Sequence, residues 1–377
     1  MLLAGCTTAA PQPPSTAVWT QVSLPSGARA SSLARIGDEL LVGGFVASGT
    51  SGSGQTPDDV TPLLARVRGT AVAGEFQLEP ADPYAKVADL QSLAAAGDAV
   101  YAIGQAVGGA HANPRPTPWD GSLAAGRLTS HTQEFFTFGG HDAGPLLGTV
   151  VVDGRPVVFG SRTTTTGPRG VLWTNRGTTW TQQDRVVPAL ASSPDRELGF
   201  SGLARLGDRI VVAGDELGLV GGLHQQPAAF VGTVDGPWQQ VALPVPDGLA
   251  AVPGVLSRAT SVACADSGDT CWFAGWARGH ALAWPVQIDP DGTLQAGAAV
   301  QLPGDPPSGA DPMALVTLVD DRPAVLTNAA TTLWLGCPDG WRGLTAPPGI
   351  TTAVAATPGG LYAIAGDALW RLAVPAC

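Results

Sequence analysis

Charge is scarce in this chain. Only 14% of its 377 residues are Asp, Glu, Lys or Arg, against the usual quarter of a globular protein. Lysine occurs once, as Lys86, beside nineteen arginines. Acidic residues outnumber basic ones by 31 to 20, giving a net charge of −11. A chain this acidic is not drawn by charge to nucleic acid or anionic lipid. No run of eighteen apolar residues occurs, so no segment reads as a membrane-crossing helix. His-x-x-x-His, Cys-x-x-Cys and phosphate-loop patterns are missing, so nothing points to a nucleotide, a zinc ion or another cofactor. These shortages exclude collagen, coiled coil, membrane bundle and general nucleic-acid binder.

Apolar residues, by contrast, make up 44% of the chain, with 50 Gly and 33 Pro. They are organised as a repeat. A short apolar run, a turn of Gly and Asp, and a second apolar run ending near Gly recur along the sequence. Leu33-Ala-Arg-Ile-Gly37-Asp38-Glu-Leu-Leu-Val-Gly43 is nearly copied by Leu203-Ala-Arg-Leu-Gly207-Asp208-Arg-Ile-Val-Val-Ala-Gly214. The turns start at 37, 97, 153, 207, 268, 320 and 359, a mean step of about 54 residues. Each unit reads as a β-hairpin, because its turn residues tolerate positive φ. A looser loop, another apolar run and a short strand often opened by Trp follow, as at Trp180, Trp238 and Trp341. Four strands per repeat at this spacing predict a β-propeller blade, and seven repeats predict seven blades.

The last repeat has strands near 351–356, 361–365 and 368–373 and then stops, one strand short. Val18-Trp19-Thr-Gln-Val-Ser-Leu24 precedes the first hairpin and has the Trp-opened character of a fourth strand. Placed in the last blade, it closes the ring without an unpaired edge. The expected fold is therefore all-β, a seven-bladed propeller over residues 18–377 with the N-terminal strand closing the last blade, preceded by a separate segment 1–17. In such a ring the first-to-second and third-to-fourth turns share one face. Second-to-third loops and blade linkers share the other.

Segment 1–17 opens Met1-Leu2-Leu3-Ala4-Gly5-Cys6 and continues in uncharged Thr, Ala, Pro, Gln and Ser. Leu3-Ala4-Gly5-Cys6 resembles the lipobox of bacterial lipoproteins. That resemblance implies a signal peptide remnant, a diacylated Cys6 and a Pro-rich tether on the outer leaflet of the plasma membrane. The tether, about eleven residues at up to ~3.6 Å each, would leave from the face carrying the first-to-second turns and reach at most ~40 Å. The other face would then look away from the membrane. Reserving Cys6 for lipid leaves four cysteines, an even set. Cys264 and Cys271 would oppose each other across a hairpin, close enough for a disulfide. Cys337 and Cys377 would then pair and staple the closing blade to its neighbour. One Lys against nineteen Arg, with abundant Ala, Gly and Pro, points to a GC-rich genome and, with the lipobox, to an actinobacterial cell-envelope protein.

Trp173-Thr-Asn-Arg-Gly-Thr-Thr-Trp180 resembles the Asp-box turn of sialidase-like (BNR-repeat) propellers, with Asn175 in place of Asp and Trp173 in place of Ser. Val234-Asp-Gly-Pro-Trp238 and Pro338-Asp-Gly-Trp341 are shorter echoes. The resemblance implies a fold and not an activity, because that box is structural. Sialidases also need three arginines, a Tyr–Glu pair and an acid Asp, whereas Tyr84, Tyr101 and Tyr362 are the only tyrosines here. Gly199-Phe-Ser201-Gly202 has the wrong spacing for a nucleophile elbow. Asp58-Asp59 and Asp320-Asp321 read as turn formers.

The candidate ligand-binding residues are His111, His224 and His280 in second-to-third loops, His141 and Asp142 in a blade linker, and Trp119 and Trp276 nearby in sequence. Polar and aromatic side chains on the loops of a rigid scaffold are what a recognition site uses, and the stretches 46–60, 105–117 and 215–226 read as long loops that add surface. The sequence thus reads as a lipid-anchored module that binds a protein or glycan of the envelope, without a catalytic set, metal or cofactor. A sialidase-like glycoside hydrolase or a lyase of the propeller type is the alternative.

Overall fold

The computed structural model describes residues 15–47, 60–108, 113–249, 256–266, 268–303, 313–328 and 331–377. Seven antiparallel sheets follow one another along the chain. Blade 1 comprises Ala28–Ile36, Glu39–Ala47, Val60–Arg68 and Ala71–Glu75, from the innermost strand outward. Blade 2 comprises Asp89–Ala96, Ala99–Gly108, Asn113–Ser122 and Arg127–Ser130. Blade 3 follows over Ala143–Val152, Arg155–Thr164, Gly167–Arg176 and Thr179–Gln182, and blade 4 over Arg196–Leu206, Arg209–Gly218, His224–Gly232 and Trp238–Ala242. Blade 5 uses Ser257–Cys264, Thr270–Ala277, His280–Ile288 and Leu294–Ala296. Blade 6 uses Ala314–Val319, Arg322–Thr327, Thr332–Cys337 and Gly340–Thr345. Blade 7 has Thr351–Thr357, Gly360–Ala365 and Ala368–Ala373, and its outer strand is Trp19–Gln21, paired with Trp370–Leu372. The protein is a seven-bladed β-propeller closed by its N-terminal strand.

Two blades exceed the expected four strands. Gln77–Glu79 adds a parallel strand outside blade 2, and Val300–Gln301 pairs with the third strand of blade 5.

The core explains why the strands read as continuous apolar runs and not as alternating ones. Both faces of each sheet are covered, so both side-chain sets are buried, as along Glu39–Gly44. The buried apolar residues fall into seven clusters, and each is shared between two neighbouring blades. Leu206, Val211 and Ala229 of blade 4, for example, pack with Val262, Phe273 and Trp284 of blade 5. The closing interface is built the same way: Tyr362 and Ile364 of blade 7 pack with Leu40 and Val42 of blade 1. There the Tyr362 hydroxyl donates to the Gly69 carbonyl at 3.0 Å.

The innermost strands carry a second repeat. In six of them the register shifts by one residue, between Ala30 and Ser32, Leu90 and Ser92, Leu146 and Gly148, Phe200 and Gly202, Ala259 and Ser261, and Thr351 and Ala353. The residue after each bulge is small, and it meets the next blade. Ser32 Oγ donates to Leu90 O at 2.6 Å, Ser92 Oγ accepts from Thr149 N at 2.8 Å, and Ser261 Oγ accepts from Val316 N at 3.1 Å. At Gly202 the blades touch backbone to backbone, because a Cβ there would stand 2.8 Å from Ser261 Cα. Bulges bend strands locally, and here they let a small residue stitch one blade to the next.

The turn signals act as the sequence implies. Asp320 and Asp321 both adopt positive φ, 51° and 60°, which is the type I′ geometry of a two-residue hairpin. Cys264 is in register opposite Cys271 and the two form a disulfide, with Cα atoms 4.0 Å apart. Cys337, at the end of a blade 6 strand, is bonded to Cys377 beyond the last strand of blade 7. The staple between these blades is therefore present.

Candidate functional site

Chain direction gives the ring two unlike faces, called here the hairpin face (first-to-second and third-to-fourth turns) and the loop face (second-to-third connections and blade linkers). On the hairpin face the central channel opens as a cavity of about 600 Å³. Its wall is mostly backbone and small side chains of the innermost strands, such as Ala34, Ala94 and Ala355. Charged groups sit at the rim of the mouth. Arg35 of blade 1 reaches Asp266 near blade 5 at 2.9 Å, an exposed pair of small energetic worth. Asp320 Oδ1 accepts from Gly359 N at 3.3 Å, so this carboxylate reaches from its own blade 6 turn to the hairpin turn of blade 7.

Exposed apolar side chains are found on the other side. The described residues include eleven large apolar side chains that stand exposed. Ten belong to loop-face connections or the strand ends beside them, and only Val18 does not. Leu219, Val220 and Leu223 lie in the second-to-third connection of blade 4. Leu256 joins them, because the adjacent Ser257 is bonded through N and Oγ to Gln225. Tyr84, Val107, Phe135 and Phe136 form a second group around blade 2.

Beneath the loop face, charged side chains cross the interfaces between blades. Asp215 of blade 4 is 5% exposed, accepts from Gln225 Nε2 at 2.6 Å, and faces Arg258 of blade 5 with Oδ1 and Nε 3.4 Å apart. Arg258 Nη2 also donates to Ser201 Oγ at 2.9 Å. Burial pushes the Asp215 carboxyl above the usual carboxylate range, Arg258 and Gln225 draw it back, and nearby Glu197 adds to the rise. Asp89 of blade 2 is raised in the same way by burial, opposed by hydrogen bonds from Ser31 and Gln91. Sequence reading missed both carboxylates. The available signal at Asp215 is the pair Asp215-Glu216 interrupting an otherwise apolar strand.

The residues singled out from sequence do not converge. His224 opens the third strand of blade 4 opposite Gly218, and His280 opens that of blade 5 opposite Ala277. His280 Nδ1 lies 3.1 Å from Gln301 Nε2. His141 and Asp142 stand exposed in the linker between blades 2 and 3, with Asp142 Oδ1 3.5 Å from Arg162 Nη1. His111 and Cys6 lie outside the described residues, as do Asp58 and Asp59. Trp119 and Trp276 correct the expectation that they are surface side chains. They are 1% and 8% exposed, on the third strand of blade 2 and the second strand of blade 5. The cause at Trp119 is that the supposed loop 105–117 is mostly strand, where Pro114, Pro116 and Pro118 hide an extended hairpin arm behind loop-like composition. The stretch 215–226 is likewise two hairpin arms around a short turn. Among the described residues no group of three or more His, Cys, Asp and Glu is placed to hold a metal ion.

The stretch resembling an Asp-box forms the third-to-fourth turn of blade 3, with Trp173 and Trp180 buried and Gly177 at positive φ. Asn175, at the position of the box's Asp, has a buried Oδ1 without a hydrogen-bond partner.

No family model matches the chain, and no curated protein matches it in sequence. In three dimensions it is similar to the β-propeller domain of the Trilobed protease from Pyrococcus furiosus, with 9% identity, 93% of this chain and 94% of that one covered, and a TM-score of 0.49. It is similar to the α-L-arabinanase of Penicillium chrysogenum, with 12% identity, 73% and 89% covered, and a TM-score of 0.45. It is also similar to the sialidase of Trypanosoma rangeli, with 10% identity, 92% of this chain but 55% of that one, and a TM-score of 0.42. At these identities the likeness is one of fold.

Proposed function

We propose that this protein is a non-catalytic binding module of the cell envelope, held at the outer leaflet of the plasma membrane by lipid on Cys6, which engages a protein or glycan through its loop face. One observation carries the reading: among the described residues, exposed large apolar side chains gather on that face and are nearly missing from the other. Contiguous exposed apolar surface is a mark of interaction sites, and the cluster Leu219, Val220, Leu223 and Leu256 favours a protein partner. The test is site-specific photocrosslinking in intact envelopes, with the probe at Val220 on the loop face or at Asp153 on the hairpin face. One discrete adduct from Val220, reduced by Leu223→Ser with Leu256→Ser and missing from Asp153, is expected. Equal labelling from both faces would remove the assignment. Anchoring is tested separately: Cys6→Ala should release the protein from membranes, and globomycin should block its processing.

The second reading, a propeller-type glycoside hydrolase or lyase, draws on one observation. Asp215, with its raised carboxyl pKa, has Glu197 as an electrostatic neighbour, and unlike carboxylates are what acid–base cleavage of a glycosidic bond uses. Against it, Asp215 is nearly inaccessible and bonded to Gln225. Turnover of chromogenic glycosides that is abolished in Asp215→Asn would establish this reading in place of the first.

A further inference from the structure

The rim of blade 2 holds a groove of about 400 Å³ lined by Tyr84 and Phe135 of the loop face's second apolar group. Its floor is the first half of the third strand, Asn113–Ser122. The outer strand Arg127–Ser130 pairs with Trp119–Ser122, so among the described residues the backbone before Trp119 has no strand on its outer side. The next bond is His131 N to Pro118 O at 2.9 Å, which fixes Pro118 as an outward-facing position. Antiparallel alternation then makes Pro116 and Pro114 outward as well. Proline has no N–H, so this edge presents carbonyl oxygens and no donors.

The walls are aromatic and held from behind. On one side Tyr84 stands in a one-turn helix, Pro83–Lys86, capped by Asp82 Oδ1, which accepts from Tyr84 N and Ala85 N at 2.9 Å each. On the other side Phe135 opens a second helical turn, Phe135–Phe138. Arg162, only 4% exposed, fastens that turn from below, donating to Phe136 O, Thr137 O and Gly139 O at 3.1, 2.9 and 2.6 Å. Trp173 Nε1 donates to Thr137 O at 2.6 Å as well. Between the walls the Arg115 guanidinium lies 4.5 Å from the Phe135 ring centre and 5.6 Å from that of Tyr84, and its buried Nε has no hydrogen-bond partner.

From this arrangement we infer that the groove is a saccharide-binding site. An acceptor-only floor beside a donor-only guanidinium calls for a ligand whose groups both donate and accept, as sugar hydroxyls do. Tyr84 and Phe135 stay partly exposed beside Arg115, and exposed aromatic surface suits the apolar face of a pyranose ring. An extended peptide adding to the edge would need N–H donors at alternate floor positions, and Pro114 and Pro116 have none. The Phe135 wall, fixed by Arg162 and Trp173, and the Tyr84 wall, capped by Asp82, need little reordering on binding, which favours affinity in a small site. The inference rests on the loop-face reading and names a ligand for its blade 2 group, while the crosslinking test at Val220 concerns the blade 4 group, so either can fail without the other.

Calorimetric titration of the full chain with chitotetraose, cellotetraose, mannotetraose and a proline decamer tests it. At least one tetraose should bind, and Phe135→Ala, Phe135→Leu and Arg115→Ala should each weaken it tenfold or more. Val18→Ser, just before the outer strand of blade 7 and outside the groove lining, should leave affinity within twofold. Phe135→Leu keeps apolar bulk without the ring, so loss of binding at an unchanged melting temperature assigns the effect to the aromatic face and not to unfolding. The inference is overturned if no tetraose binds, if the groove variants behave like Val18→Ser, or if the proline decamer binds more tightly than every sugar.

Discussion

Cutting the Cys337–Cys377 bridge should weaken the ring more than cutting Cys264–Cys271, and the difference follows from where each sits. The first closes a loop of 40 residues across two blades, while the second closes one of 7 within a hairpin whose strands already pair. Chain-entropy arithmetic gives roughly 3.9 kcal/mol for the long loop and roughly 2.4 kcal/mol for the short one. Unfolding entropy of ~2.1 cal/mol/K per residue amounts to roughly 0.8 kcal/mol/K for this chain, so the losses correspond to about 5 °C and about 3 °C. Comparing oxidised and reduced forms of one protein keeps every sulfur in place and isolates the covalent link. Thermal melts with and without a phosphine reductant should show wild type losing about 8 °C and Cys337→Ser/Cys377→Ser losing about 3 °C. A double variant that loses as much on reduction as wild type would refute the reasoning, because loop length would then not set the bridge's worth.

Three further outcomes are expected. Gly202→Ala would push a Cβ against the Ser261 backbone and should cost ~1–3 kcal/mol, whereas Gly74→Ala, with open space around it, should be close to neutral in the same urea titration. Tyr362→Phe removes the hydroxyl that bonds blade 7 to the Gly69 carbonyl and should lower unfolding free energy by ~1 kcal/mol by the same assay. Asp215 and Glu39 should respond to pH with opposite signs. The Asp215 carboxyl is raised by burial, so wild type is penalised as pH climbs from 3.8 through the folded value, and Asp215→Asn should gain stability over wild type across that rise. The Glu39 carboxyl is lowered by its hydrogen bond to Arg66, and Arg68 adds to this, so its stabilisation holds above 4.5 and fades as pH falls through the folded value. Glu39→Gln should therefore lose ground to wild type with rising pH, as melting temperatures from pH 3 to 7 would show.

Local chemistry determined most of the architecture. A turn that demands positive φ can be read from its residues, so Gly37, Gly207 and Asp320-Asp321 located the hairpins one blade at a time. Counting strands then placed Trp19 in the last blade, because a ring has to return to its first sheet. The cysteine pairs followed from register and strand order, which are both local quantities once the blade is known. Where composition misled, it did so through proline: three prolines between 114 and 118 read as loop but form an edge strand whose outward side needs no N–H.

The functional surface was decided by tertiary structure alone. Asp215 meets Arg258 and Tyr84 approaches Arg115 because blades and linkers pack side by side, and no spacing in the chain encodes those distances. Trp119 and Trp276 look like recognition residues in sequence, yet both are buried, Trp119 in the core shared by blades 1 and 2. Burial depends on what lies opposite, and in a propeller that neighbour is a whole blade away along the chain. The repeat thus specified the scaffold, and only its closure into a ring settled which apolar side chains form the core and which are left on the loop face.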